Sequence, residues 1–279
     1  MSFTERALRF TFSGDKTGAL SVSGLRAVAS IQVFQGRLGA AAQIKIWGLS
    51  MSQMNTYSAA LDSRGSYQSY QLTVEAGDVG GTLHKVLDKA TIWRSYPDLT
   101  DVPESAFNIT VAGSIYDATR TIAPQSQAGA QNAEDLISSV CASAGMTFHN
   151  PQNAHAVLRN HSTYGSPVTQ IENIANAARF SLYIEGNNVW IWPYGQGRDG
   201  IVIDSLPNQR VGYPVFWESG IIVQTEFDQR IQVGRQMRVT SSIPKANGLW
   251  QITQANHDLS TMLEKGPWFS TAVLSPIGS

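Results

Sequence analysis

Five histidines, one cysteine and a scatter of carboxylates are the side chains of this 279-residue sequence that could carry chemistry. His149, His155 and His161 recur at intervals of six. Zinc ligands come one helical turn apart or on alternate strand positions, and a spacing of six meets neither pattern, so these three read as loop histidines. His84 and His257 fall in or beside strand-like runs, as packing or hydrogen-bonding residues. Glu134 and Asp135 sit in the first turn of an expected helix, where the helix dipole accounts for them. Glu218, Glu226 and Asp228 are close in sequence, as the two acids of a glycosidase can be, but such a pair is defined by its separation in space. No serine lies in a Gly-x-Ser-x-Gly elbow. Cys141 lies on the apolar side of an expected helix, the setting of an inert buried thiol. Gly77 to Gly81 (GDVGG) resembles a phosphate loop but lacks the following Lys-Ser/Thr and the helix, so it reads as a hairpin turn. No catalytic, cofactor-binding or metal-binding residue is therefore assigned, and the chain reads as not an enzyme.

The tryptophans carry more weight. Trp47, Trp93, Trp190, Trp192, Trp217, Trp250 and Trp268 mostly lie in or beside strand-like runs. Such residues serve sheet packing and subunit interfaces, and that is the favoured reading. Trp190 and Trp192 share a strand face, which would also suit a sugar-stacking ladder.

The elements that must position these residues follow from periodicity. Alternation at Ile31/Val33, Ile44/Ile46, Tyr70/Leu72/Val74 and Phe107/Ile109/Val111 predicts half-buried strands. Ser50 and Gln53 form a capping-box pair ahead of a helix with Met51, Met54, Tyr57 and Leu61 near one face. Thr82 to Tyr96 reads as a strand ending at Ile92-Trp93, with Pro97-Asp98 as its stop. Ile122 to Ala130 reads as a linker. Asn132 can cap a helix carrying Leu136, Ile137, Val140, Cys141 and Ala144 on one side, ended by Gly145. Ser166-Pro167 starts a second helix with Val168, Ile171, Ile174, Ala175 and Ala178 in a stripe, and a hairpin follows it, SLYIE and VWIW around Gly186-Asn187-Asn188. Four strand runs complete the chain at Gly220–Phe227, Gln236–Thr240, Gly248–Asn256 and Trp268–Leu274, with Ala-Asn-His-Asp placed after the third. The expected fold is mainly β with an α+β insertion, in three domains: 1–115, 116–205 and 206–279.

Composition narrows the function classes. Charged residues make up 15% and the net charge is −1, which gives no support to a nucleic-acid binder relying on a basic face. One cysteine allows no intramolecular disulfide and fits folding in a reducing cytoplasm. The N-terminus lacks a signal-peptide pattern and no run approaches eighteen apolar residues, so no membrane segment is expected.

Three segments carry a resemblance: QIKIWGLSMSQMNTYSAAL at 43–61, GSPVTQIENIANAARFSLYIEGNNVWIWPYG at 165–195, and the strand series from Gly212 onward. Together they are similar to the baseplate hub proteins of contractile-tailed bacteriophages. The resemblance implies two tail-tube-like antiparallel β-barrel or sandwich domains flanking the small α+β domain. It implies a homotrimeric ring joining a hexameric tail tube to a trimeric central spike, in contact with other baseplate proteins. DNA would pass through the lumen without specific binding. It further implies residence in the virion after assembly in the host cytoplasm, and no cofactor. No cell-wall-cutting role is expected of this chain. The alternative is a β-rich tail protein that binds or hydrolyses glycans, motivated by Trp190/Trp192 and Glu218/Glu226. A tube or wedge subunit is disfavoured because one such subunit needs only one barrel.

Overall fold

The computed structural model describes residues 5–14, 17–37, 39–58, 70–100, 104–113, 121–126, 128–218 and 220–277. Seven strands come first: β1 (Arg6–Gly14), β2 (Thr17–Ser23), β3 (Ala27–Phe34), β4 (Ala40–Trp47), β5 (Tyr70–Asp78), β6 (His84–Asp98) and β7 (Ala106–Ala112), with helix α1 (Met51–Tyr57) after β4. Period-two burial makes them a sheet. Ala27, Ala29, Ile31 and Val33 point inward from β3, and Leu72, Val74 and Ala76 from β5. The Ser50–Gln53 capping box is formed in both directions. Met54 and Tyr57 are buried, whereas Met51 faces outward and Leu61 lies outside the described residues.

The middle of the chain holds β8 (Gln125–Ser126), β9 (Ala130–Asn132), α2 (Ala133–Ala144), β10 (Thr147–His149), β11 (Val157–Arg159), β12 (Ser162–Thr163), α3 (Pro167–Ala178), β13 (Phe180–Glu185) and β14 (Asn188–Pro193). The expected stripe of α2 is buried whole, and Gly145 ends the helix in the left-handed region at φ 71°. Asn132 stands at its N-cap, but its side chain donates to Asp135 (2.9 Å) instead of accepting a backbone N–H. The stretch read as a linker contains β8, which pairs with β12. Helix α3 starts at Pro167 behind Ser166, whose hydroxyl accepts from the Thr169 N–H (3.2 Å).

The last strands are β15 (Val202–Ser205), β16 (Val215–Trp217), β17 (Gly220–Glu226), β18 (Gln236–Val239), β19 (Gly248–Thr261) and β20 (Trp268–Pro276). Both ends of the chain enter one 13-stranded sheet in the order β16-β17-β20-β19-β3-β4-β7-β6-β5-β1-β2, with β18 on β19 and β15 parallel to β18. The two ends meet where β19 runs antiparallel to β3, from Gln254↔Phe34 to Thr261↔Ala27. A continuous core follows this sheet from Leu8 and Phe10 to Ala272 and Leu274. A separate core lies between α2, α3 and one face of β13–β14. The opposite face of that hairpin turns Tyr183 and Trp192 into the sheet's core, because successive strand residues point to opposite sides.

Two strands outrun their sequence signals. β6 continues through Pro97 to Asp98, paired to β7 by Pro97↔Phe107. The proline stands one residue from the end of the strand, where a missing ladder donor disturbs the pairing least. β19 runs on to Thr261 and takes Ala255–Asp258 inside it, since Ala255, His257 and Leu259 continue the buried alternation.

Candidate interaction surface

The residues considered for chemistry are scattered. His149 stacks on Trp190 (4.0 Å between centroids) and its Nε2 meets Asn188 Oδ1 at 3.0 Å. His155 is held by the Glu134 carboxylate, and His161 sits between β11 and β12. His84 begins β6. His257 is buried, with Nδ1 2.9 Å from Ser270 Oγ and Phe227 edge-on at 5.7 Å. Among the described residues no three metal-ligating side chains gather. Cys141 is buried, and burial pushes its thiol up to about 12. Gly77–Gly81 spans the end of β5 and the turn toward β6, with Gly80 at φ 78°.

The three acids of the C-terminal segment do not form a hydrolytic pair. Asp228 is closed off by a two-pronged contact with Arg230 (2.7 Å at the shortest). Glu218 and Glu226 flank opposite ends of β17, and six strand steps of about 3.3 Å separate those ends by roughly 20 Å. That is well beyond the roughly 10 Å upper separation of glycosidase acids. Trp192 is fully buried, so Trp190 and Trp192 cannot form an exposed ladder. Trp190 instead covers the Arg198 guanidinium (4.8 Å), which donates to Gln232 Oε1 (2.6 Å). This buried polar contact seats the α+β unit on the sheet. Beside it, burial and then the nearby Asp88 raise the Glu185 carboxyl to about 7.

What the fold does build is a broad polar face. Opposite the core, β17, β20, β19, β3, β4, β7 and β6 align their outward residues in register. One row runs Gln224, Thr271, Asn256, Gln32. Another runs Asp258, Ser30, Gln43, Thr110, Arg94. Small amides and hydroxyls dominate. The charges among them are largely internally met: Lys45 pairs with Asp98 (3.3 Å), and Asp258 accepts from Ser30 (2.7 Å). Hydrogen bonds from Thr100 and then Lys45 hold Asp98 down at about 2, so its carboxylate stays ionised at neutral pH.

The sheet also presents exposed apolar edges. Every residue of β16 is exposed, and Tyr213 ahead of it is 71% exposed. Sequence reasoning named only Trp217 in this stretch. The uncharged run Tyr213-Pro-Val-Phe-Trp was the available signal, but such a run ordinarily marks a core.

The family described as "Baseplate hub gp41" matches residues 8–269. No curated protein matches the sequence. Among solved structures, the tail protein from Neisseria meningitidis MC58 is similar at a TM-score of 0.65 and 6% identity, over 97% of both chains. The 43 kDa tail protein of prophage MuSo2 from Shewanella oneidensis is similar at 0.60 and 10% identity, over 97% of this chain and 99% of that one. The E. coli c3393 protein is described as a type VI secretion system component with structural similarity to the T4 bacteriophage tail proteins gp27 and gp5. It is similar at 0.56 and 9% identity, over 96% of this chain and 76% of that one. At such identities the likeness is one of fold.

Proposed function

The chain belongs to the baseplate hub gp41 family, and on that premise we propose that three copies close into a ring that joins a hexameric tail tube to a trimeric central spike. Membership in this family places the chain in the phage tail, among other baseplate proteins. The observation that carries the finer reading is the junction of β19 with β3. It sets two β-rich halves side by side in one sheet, so three chains supply six such halves. Each half then serves as one tail-tube-like domain, residues 1–115 and 206–279, and the α+β unit of 116–205 is an appendage with its own core. A contact repeated around an axis closes without leaving free edges, which is the physical reason for a ring.

The polar face is the wall this reading assigns to the lumen. DNA is held mainly through phosphate contacts with Lys and Arg. A wall of amides and hydroxyls, with Lys45 already paired to Asp98, lets a duplex pass without gripping it. The role is mechanical, and no residue is assigned to catalysis. Assembly takes place in the host cytoplasm, where a single buried thiol and no disulfide suit the redox state. Sedimentation of the full chain, alone and with the spike protein, tests the stoichiometry. Three copies per particle are expected, and a monomer under both conditions overturns the ring.

A further inference from the structure

The α+β unit meets both halves of the sheet at one seat, where the backbones come too close to admit a side chain between them. The Gly36 N–H donates to the Leu182 carbonyl (2.8 Å), and the Ile184 N–H donates to the Gly36 carbonyl (3.2 Å). A Cβ on Gly39 would stand 2.6 Å from the Ile184 carbonyl oxygen, and one on Gly186 would stand 2.6 Å from that of Asp88. From the C-terminal half, the Gly234 carbonyl accepts from the Arg198 N–H (2.6 Å). The unit has a core of its own, so it can lift from this seat as a body. The chain leaves its last hairpin through Gly195, at φ 78°, a residue type able to absorb a change of direction.

Inside the seat lies a cavity of about 40 Å³, lined by Glu185, Tyr183, Arg198, Lys85 and His257 among others. Glu185, on β13, is its acid. From β6 it faces Asp88 and Lys85, and Lys85 is held by Asp88 (3.1 Å). Lys89, beside Gly186, is in solvent. From the segment after β14 it faces Arg198, which donates to Gln232 (2.6 Å) and lies 3.8 Å from Asp199. On its own strand, the Tyr183 hydroxyl donates to it. On β19, His257 is neutral above about pH 4.

We propose that Glu185 is a proton-operated latch: while it is protonated the α+β unit stays on its seat, and when it ionises the hairpin lifts from the sheet. A carboxylate left in the seat is kept from water and set beside the Asp88 carboxylate, whereas lifting the hairpin returns it to solvent. Burial first, and Asp88 second, raise its carboxyl to about 7 from 4.5. The seat is therefore whole below pH 4.5 and loosens as pH rises to about 7. By linkage across that interval, opening is about 70-fold more favourable at pH 8 than at pH 5. Tyr183 and Trp192 are buried under the hairpin, so the open form stays the minor one. The latch works within one chain and does not depend on how many copies assemble.

Residue-resolved amide hydrogen exchange on the full chain from pH 5 to 8, corrected for the intrinsic dependence on pH, tests it. The Gly36 and Ile184 amides bond across the seat and report its opening. Their protection is expected to fall about 70-fold over this range, to below that of Ile44 in β4 and Ile174 in α3. Equal protection of all four amides at pH 8 means that the chain opens only as a whole, and overturns the latch. Protection at Gly36 and Ile184 that does not change with pH overturns it as well. Glu185→Gln is expected to keep the seat closed at pH 8, and a fall that survives this substitution overturns the assignment to Glu185. Asp88→Asn is expected to make the fall smaller, and an unchanged fall overturns the part given to Asp88.

Discussion

His257 and Glu185 give the molecule two opposed pH responses. Burial pulls His257 down to about 4 from the 6.5 of an open chain, so the folded protein declines a proton that the unfolded chain accepts. Stability is therefore whole above pH 6.5 and falls as pH drops toward 4, a loss of about 3 kcal/mol by linkage. Glu185 runs the other way. Its carboxyl is raised to about 7 from 4.5, so the folded state holds a proton that the unfolded chain releases. Its contribution is whole below pH 4.5 and is lost as pH rises to 7. Thermal melts across pH 4 to 8 check both. Glu185→Gln should raise the melting temperature relative to the unsubstituted chain at pH 8 and give no gain at pH 4. His257→Gln should flatten the acid limb, and an unchanged acid limb would remove His257 as its cause. Of the residues weighed for chemistry, Cys141 and His257 fill the buried, packing roles that their patterns indicated. His155 holds Glu134, and Trp192 fills the core. Spacing said nothing of the Trp190–Arg198 contact, whose partners come from different elements.

Elements were readable where burial is one-sided. The stripes of α2 and α3 and the alternation of β3, β4, β5 and β7 follow directly from period 3.6 or 2, and Gly145 and Ser166 stand as the expected end of α2 and cap of α3. The sequence signals stop β6 and β19 short because Pro97 and the polar Asn256–Asp258 carry turn signals, which pairing to β7 overrides in β6 and pairing to both β3 and β20 overrides in β19. β16 gave no periodic signal at all, since all three of its residues are exposed. Its place at the end of the sheet, which makes it a candidate contact, depends on Gly220. A Cβ there would stand 1.9 Å from the Leu274 carbonyl oxygen, a backbone atom fixed in β20. Gly220→Ala must therefore part β17 from β20 and tilt β16 with it. A loss of about 1–3 kcal/mol by denaturant unfolding is expected, the range of overpacked sites. A neutral result would show that the β16–β17 hairpin is not held to the sheet in this way.

At the scale of the molecule, the decisive feature is a contact between residues more than two hundred positions apart: β3 beside β19. No local pattern encodes that pairing, and so the order β, α+β, β was legible while the single sheet uniting the ends was not. The sheet turns one face to a shared core and the other to a row of amides and hydroxyls. On the ring reading, a net charge of −1 suits surfaces taken up by neighbours and by a passing polyanion. The hub reading depends on three chains presenting six equivalent halves around a channel. An averaged cryo-electron microscopy image of the assembled tail at the tube–spike boundary tests this most directly. The account predicts three copies of the chain, with Gln32, Gln43 and Thr110 turned toward the axis. Six copies in that ring, or the same face turned outward, would contradict it.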